Sequence, residues 1–255
     1  MKISIITVCY NSAKTIRDTF ESVLNQTYSD IDYVVVDGNS SDETVSIIKE
    51  YEQKLNGKMR WISEPDKGLY DAMNKGIKMA IGDIIGILNS DDYYASDDVL
   101  KQVVDTISSK NVDSCYGNLV YIKKNKPYRY WRSGPKKSFI SGWMPPHPAF
   151  FVKKVIYEKY NMYRLDCGVN ADYELMLRFL EKEKITTFWI NELLVIMRVG
   201  GASNSSISSR IRSLDNDKKG WTVNNLKPYF FTLFFKKARK IPQYFQVKNY
   251  AKQHG

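Results

Sequence analysis

The chain has 255 residues and a mass of 29.6 kDa, enough for one large domain with a buried core, or one domain plus an appendage. With 43% hydrophobic and 26% charged residues it is expected to be globular rather than disordered, and no apolar run is long enough to span a bilayer. The formal charge of +10 is unevenly placed: residues 201–255 hold eleven Lys and Arg against two Asp, whereas residues 1–200 hold 27 basic against 26 acidic residues, so a body that binds nucleic acid is not expected.

The N-terminal Lys2-Ile3-Ser4-Ile5-Ile6-Thr7-Val8 lacks the cleavage site of a signal peptide and reads as a buried parallel strand. Ile16, Phe20, Val23 and Leu24 recur at helical spacing, with Asn11 or Ser12 available as cap. Tyr33 to Val36 predicts a second strand, ending in the turn-forming Asp37-Gly38-Asn39-Ser40-Ser41. Ser40 and Glu43 have the spacing of a capping box for the helix that carries Val45, Ile48 and Leu55. Arg60 to Ser63 is a short third strand, and Leu69, Met73, Ile77 and Ala80 mark a third helix. Ile84 to Leu88 is a fourth strand that stops at Asn89-Ser90-Asp91-Asp92, and Leu100, Val103, Val104 and Ile107 mark a fourth helix. Strands alternating with helices predict an α/β fold, a mostly parallel sheet with helices on both faces, whose polar strand ends line the ligand-binding edge.

Beyond Tyr116 the pattern changes. Tyr116 to Tyr121 and Tyr128 to Trp131 flank a turn over Lys123 to Pro127 and predict a hairpin. A Gly- and Pro-rich loop follows from Gly134 to Pro148. Ala149 to Val152 predicts a strand, Asp172 to Lys182 a helix, Thr187 to Ile190 and Leu194 to Arg198 two short strands, and Gly200 to Ser206 a flexible loop. The expected organisation is a domain over 1–205 and a basic, aromatic extension over 206–255. Cys9, Cys115 and Cys167 have no metal-ligand spacing and are odd in number, which suits a reducing, cytoplasmic setting.

Asn89-Ser90-Asp91-Asp92 carries the strongest chemical signal. Adjacent carboxylates in a dry site cannot both ionise without a cation. A hard divalent ion with oxygen ligands fits, leaving coordination positions for phosphate and water; the alternative is an acidic pair capping the helix near Asp97. Asp37 at the second strand end has the chemistry to bind a ribose or base. Lys67 opposes a helix dipole unless an anion lies near. Asp172 is either a first-turn residue satisfying the dipole or a general base. His147, between two prolines beside the loop, is a candidate acceptor contact.

In this order and spacing, Ile5 to Asn11, Val34 to Thr44, Ser63 to Gly76, Leu88 to Asp92, Pro146 to Phe151 and Ala171 to Glu174 resemble the family 2 glycosyltransferases, especially the bacterial members that build capsules, O-antigens and exopolysaccharides. The resemblance covers about residues 1–200 and implies a nucleotide-sugar-transferase fold of the GT-A type. It also implies a nucleotide-diphosphate-sugar donor (a UDP-sugar foremost), a Mn²⁺ or Mg²⁺ ion, inversion at the anomeric carbon, and a glycan or lipid-linked saccharide acceptor. By resemblance, Thr7, Val8, Asn11 and Asp37 hold the nucleoside, Lys67, Asn89 and Ser90 assist donor binding, Asp91 binds the metal with Asp92 behind it, and Asp172 is the base. Asn89 stands where the family's Asp-x-Asp motif begins with a carboxylate, and Ala171 where an acid usually precedes the base. The other enzyme reading, a sugar-phosphate nucleotidyltransferase, usually needs a Gly-rich basic loop after the first strand, and Tyr10-Asn11-Ser12-Ala13 has neither glycine nor arginine.

Leu226 to Phe245 carries Tyr229-Phe230-Phe231, Leu233-Phe234-Phe235 and then Lys236-Lys237-Ala238-Arg239-Lys240. Two arrangements follow from this pattern: a segment lying in an anionic membrane interface at the cytoplasmic face, or a docking helix with aromatics packed inward and lysines in water.

Overall fold

The apolar runs of the first hundred residues become strands because an amphipathic helix is available to cover each face. In the computed structural model, which describes residues 1–200 and 207–254, β1 (Ile3–Cys9), β2 (Ile31–Asp37), β3 (Met59–Ser63) and β4 (Ile84–Ile87) alternate with α1 (Ile16–Leu24), α2 (Thr44–Lys54) and α3 (Leu69–Met79). The four strands are parallel in the order β3-β2-β1-β4. Successive side chains point to opposite faces, so Ile3, Ile5 and Cys9 of β1 enter one core with α1 and α2, while Ile6 and Val8 enter a second with α3.

The second half adds β5 (Asp92–Tyr94), α4 (Val99–Lys110), β6 (Ser114–Lys123), β7 (Lys126–Trp131), β8 (Phe150–Lys153), α5 (Lys154–Tyr160), α6 (Ala171–Leu177), β9 (Thr187–Arg198), α7 (Ile207–Val223), α8 (Thr232–Ala238) and α9 (Ile241–His254). Among the described residues the strands form one nine-stranded sheet, β3-β2-β1-β4-β8-β6-β9-β5, with β7 also on β6. β8 runs antiparallel to β4 and β6, β5 antiparallel to β9, and β6 parallel to β9. The result is the expected α/β fold, parallel through β1–β4 and mixed beyond. The C-terminal extension packs on this body: Trp221 of α7 is buried in the second core and donates to the Tyr173 hydroxyl at 2.9 Å.

Several local expectations change. Ser40 and Glu43 form no capping box; α2 begins at Thr44, whose N–H is accepted by Asp42 at 3.0 Å, while Ser40 turns to Asp37. Neither Asn11 nor Ser12 caps α1 with its side chain; the Ser12 carbonyl accepts from Thr15 and Ile16 instead. The hairpin forms, and its turn residues Lys124 and Asn125 both have positive φ, the twist that matches a tight two-residue connection. Pro127 fits because β7 pairs on one side only. The two short strands after Thr187 are one continuous β9 with register shifts. β5 and α5 were not foreseen. The helix expected over Asp172 to Lys182 is α6 followed by one wider turn over Arg178–Lys182. The loop expected over Gly200 to Ser206 lies, beyond Gly200, outside the described residues.

Gly76 lets α3 touch the sheet: a Cβ there would stand 2.3 Å from Ile6 Cγ2. Gly76→Ala would gain up to about 1 kcal/mol of helix propensity, but overpacking costs about 1–3 kcal/mol. The expected net outcome is a lower urea midpoint with an unchanged m-value.

Candidate active site

The parallel register gathers the strand ends. Cys9 lies opposite Asp37 and Asp37 opposite Ser63. Asp37 is buried, and its carboxylate is engaged within the protein. One oxygen accepts from the Ser40 N–H (3.0 Å) and the Ser63 hydroxyl (2.6 Å), the other from the Ser40 hydroxyl (2.5 Å) and the Cys9 thiol (3.6 Å). Burial and this carboxylate push the Cys9 thiol well up from its ordinary value. Ser40 in turn accepts from the Asn11 N–H at 2.8 Å, and Asn11 Oδ1 accepts from the Ser41 N–H at 2.9 Å. Asn11 has φ 49°, a left-handed conformation that asparagine tolerates. Asp37 and Asn11 thus shape the wall between the first two strand ends. Thr7 is turned into the core, bonded to the Tyr33 hydroxyl at 2.9 Å, and is wholly buried, so its hydroxyl does not reach the strand-end surface. Val8 is also buried.

The fourth strand end joins the first through the Ser12 and Ser90 hydroxyls, 2.8 Å apart. Here Asp92 is buried; its Oδ2 accepts from Asn89 Nδ2 at 3.1 Å. Asp92 Oδ1 and Asn89 Oδ1 are buried without a hydrogen-bond partner among the described residues, a costly state for oxygen acceptors. Burial, then repulsion from Asp91, holds the Asp92 carboxyl well above the usual aspartate range. Burial raises that of Asp91 as well, opposed in part by Arg198. Arg198, at the end of β9, donates to the Asp91 carbonyl at 3.0 Å, pairs with Asp18, and lies 4.9 Å from the Tyr93 ring centre. Adjacent acidic side chains with unpartnered oxygens fit a hard divalent cation. Among the described residues no cluster of three or more His, Cys, Asp or Glu is arranged to hold one unaided.

Across the cleft, Asp172 is the second residue of α6. Its Oδ1 accepts from the Tyr70 hydroxyl at 3.1 Å, which also faces the Val169 carbonyl at 3.0 Å. On α3 one turn from Tyr70, Asn74 clamps the Tyr163 backbone with two 2.9 Å bonds. The Tyr163 hydroxyl lies 2.6 Å from His147 Nε2. Burial lowers the His147 pKa, against the pull of Asp172, so the ring is neutral at pH 7. Lys67 is exposed; its N–H donates to Asp71 at 3.0 Å, and its ammonium has no ion pair among the described residues. Burial raises the pKa of the Tyr121 phenol, opposed by Arg129 and reinforced by the Asp92 and Asp172 carboxylates.

Sequence reasoning missed Tyr70, Tyr163 and Arg198. Tyr70 was within a quoted motif, but its spacing to Asp172, 102 residues away, exists only in the fold.

An α/β sheet of this topology, with an acid pair after the fourth strand and a carboxylate on a later helix start, defines a nucleotide-sugar-transferase fold of the GT-A type. Residues 4–170 match the family described as Glycosyl transferase family 2, and the chain belongs to that family and is a glycosyltransferase. It is 34% identical over 186 residues to an uncharacterized glycosyltransferase of Mycobacterium tuberculosis, covering 69% of this chain and 68% of the relative. It is 27% identical over 206 residues to a PGL/p-HBAD biosynthesis glycosyltransferase of Mycobacterium bovis, covering 80% of each. In fold it is similar to S. aureus TarS 1-349 (TM-score 0.67, 17% identity, 100% of this chain and 92% of that one); it spans 55% of a longer TarS chain. It is likewise similar to a Pyrobaculum calidifontis mannosyltransferase solved with GDP-Man and Mn²⁺ (TM-score 0.66, 16% identity, 100% of this chain and 76% of that one).

The raised Asp92 carboxyl yields a signed pH prediction. The folded protein binds a proton that the unfolded chain has released, so metal-free stability falls as pH rises above the ordinary aspartate range. Asp92→Asn is expected to raise the melting temperature in EDTA at pH 7, by about 2–4 °C per kcal/mol relieved, and to flatten that slope. Mn²⁺ should stabilise the wild type more than the variant in the same thermal scans.

Proposed function

We propose that the protein transfers a sugar, with inversion, from a nucleotide-diphosphate-sugar to a hydroxyl of a glycan or lipid-linked saccharide in surface polysaccharide assembly. The observation that carries this reading is the acid pair Asp91 and Asp92 at the end of β4, with Asp92 Oδ1 and Asn89 Oδ1 buried and unpartnered among the described residues. The donor class draws support from fold relatives solved with UDP, UDP-GlcNAc and GDP-Man. The nucleoside lies against Asn11, the backbone of Thr7 and Val8, and the loop that Asp37 holds. Asn89, Ser90 and Lys67 contact the donor's ribose and phosphates.

Asp91, backed by Asp92, would hold the Mn²⁺ or Mg²⁺ ion, which when bound offsets the charge on the departing diphosphate. Asp172 takes the proton of the acceptor hydroxyl as its oxygen bonds to the anomeric carbon, worth about 10²–10⁴-fold. The bond from that carbon to phosphate breaks, and its electron pair leaves on the diphosphate, which needs no proton donor. The Tyr70 hydroxyl fixes one oxygen of Asp172 and leaves the other for the acceptor proton. His147, neutral and held by Tyr163, contacts the acceptor. No helix among the described residues is long and apolar enough to cross a membrane. The exposed Tyr229, Phe230, Phe231, Phe234 and Phe245 are suited to hold the enzyme at the inner membrane face.

Asp172→Asn is expected to lower kcat at least about 100-fold with donor binding nearly intact, and Asp91→Asn to abolish metal-dependent turnover. Steady-state assays over a panel of nucleotide sugars, with UDP binding measured alongside, check both; wild-type turnover by Asp172→Asn would remove it as the base. Phe230→Ser with Phe234→Ser should reduce co-sedimentation with phosphatidylglycerol vesicles, and equal recovery of variant and wild type would reject the membrane contact.

A further inference from the structure

Two residues before Asp172, Asn170 stands at the N-cap of α6 yet makes no side-chain cap bond to that helix. An asparagine at this position ordinarily accepts from a first-turn N–H. Here its amide donates to Asp217 Oδ1 of α7 at 2.6 Å, and the same oxygen accepts from the Lys236 ammonium of α8 at 2.6 Å. Asp217 is 4% exposed. The Lys236 ammonium also lies 3.5 Å from the ring centre of Tyr173, the residue after Asp172. The buried Asp217–Lys236 pair thus touches the chain on both sides of the base, and the transfer chemistry makes no direct use of it.

Asp217 belongs to a continuous contact. Asn216, Asp217, Gly220, Trp221 and Asn224 recur at three- and four-residue spacing and form one face of α7 and its end. A Cβ on Gly168 would stand 2.7 Å from the Asn216 amide nitrogen, and Gly168 has φ 57°, a conformation that costs glycine little. Trp221 donates to the Tyr173 hydroxyl at 2.9 Å and Asn224 to Glu174 at 2.9 Å. Lys236 comes from a helix of seven residues, too short to be stable by itself. Its backbone is seated against Gly142, and Arg239 just beyond that helix donates to the Ser141 carbonyl at 2.8 Å. A carboxylate as buried as Asp217 is costly without a counter-charge, and an ionised acceptor holds an amide more strongly than a neutral one. Lys236 therefore keeps Asp217 in place as the acceptor that fixes Asn170.

We propose that Asp217 is a positioning residue for the base. With its charge met by Lys236, it holds Asn170 and so aims the first turn of α6, from which Asp172 projects. This rests on the glycosyl-transfer reading and makes kcat depend on the C-terminal extension. Displacing a reacting group by about 1 Å costs up to about 100-fold in rate. The donor groups come from the ends of β1, β2 and β4, on other elements, so donor affinity is expected to stay.

The test uses the full chain: release of UDP or GDP from UDP-glucose, UDP-N-acetylglucosamine or GDP-mannose in Mn²⁺, calorimetry with UDP, and hydrogen exchange of peptides within residues 165–177. Lys236→Met keeps an apolar stem on Tyr173 but leaves Asp217 without its cation. It is expected to lower kcat at least about tenfold, with the donor KM and the UDP Kd within about twofold. Adding Asp217→Asn should return kcat to within about threefold of the wild type, because asparagine still accepts from Asn170 and buries no charge. Asp217→Ala with Lys236→Met should stay at least about tenfold low, since it buries no charge but offers Asn170 no acceptor. These two double variants carry the comparison even where Lys236→Met alone does not fold. Equal kcat in the two overturns the proposal, and so does a loss of UDP affinity in step with kcat. A wild type that binds UDP yet transfers no sugar from any donor overturns the transfer reading. Exchange over 165–177 that quickens in the alanine double variant and not in the asparagine one then still supports the Asn170 contact, and equal exchange overturns it.

Discussion

The molecule is organised around an electrostatic debt at the end of β4. Asp92 is buried with one oxygen unpartnered among the described residues, next to Asp91, and Arg198, whose side chain donates to the Asp91 carbonyl, offsets their charge only in part. Such a pair does not stabilise a fold. Its surroundings keep it in place: the Asp92 carbonyl accepts from Thr19 at 2.7 Å on α1, and its strand pairs with β9. Core packing on both sides of the sheet thus holds two acids where they are unfavourable on their own. Stability is given up locally where binding chemistry is required.

The first half of this arrangement was legible in the sequence because its signals are local. Apolar runs ending in polar clusters give β1, β2 and β4, and parallel pairing then brings Asn11, Asp37 and Asn89 to one edge without further information. The details that failed are those in which a polar side chain had several partners to choose from. Ser40 has the spacing to cap α2, but the Asp37 carboxylate and the Asn11 N–H are nearer. Asp37 itself, read as a ligand contact, is occupied by Ser40, Ser63 and Cys9. β5 is three residues long and exists through pairing with β9, a hundred residues away, so no local period could announce it. Thr7 illustrates a different limit. The motif marks the position, whereas strand alternation decides that the hydroxyl meets Tyr33 in the core.

The extension shows why a charge pattern does not fix which face turns inward. An aromatic run over Tyr229 to Phe235 is followed by four basic residues over Lys236 to Lys240, and hydrophobicity alone would bury the rings. The body offers different partners at the docking face: the Tyr173 ring, the Asp217 carboxylate and the Ser141 carbonyl. Each suits a cation with a long aliphatic stem. Packing the rings there would have left the Ser141 carbonyl without Arg239 and the Asp217 carboxylate with the Asn170 amide but no cation. The rings are left outside, where an apolar surface of this size calls for a lipid or another hydrophobic partner.

The position of Asp172 depends in turn on a network that takes no part in chemistry. Glu174, one residue beyond Tyr173, is fully buried and forms two bonds with Arg178, at 2.9 and 3.0 Å. Arg178 also donates to the carbonyls of Tyr160, the last residue of α5, and of Asn161 and Met162 just beyond it. Asn224 of the extension donates to the same glutamate at 2.9 Å. A buried ion pair of this kind contributes little net stability against an apolar replacement of similar volume. Its hydrogen bonds are directional, however, and they lock α6 to the segment that carries Tyr163, hence to Asn74 and α3. The tyrosine on α3 that orients Asp172 and the helix that bears Asp172 are therefore held in one frame, and that frame includes α7. The extension supplies part of this frame, so Asp172 is positioned by both parts of the chain together.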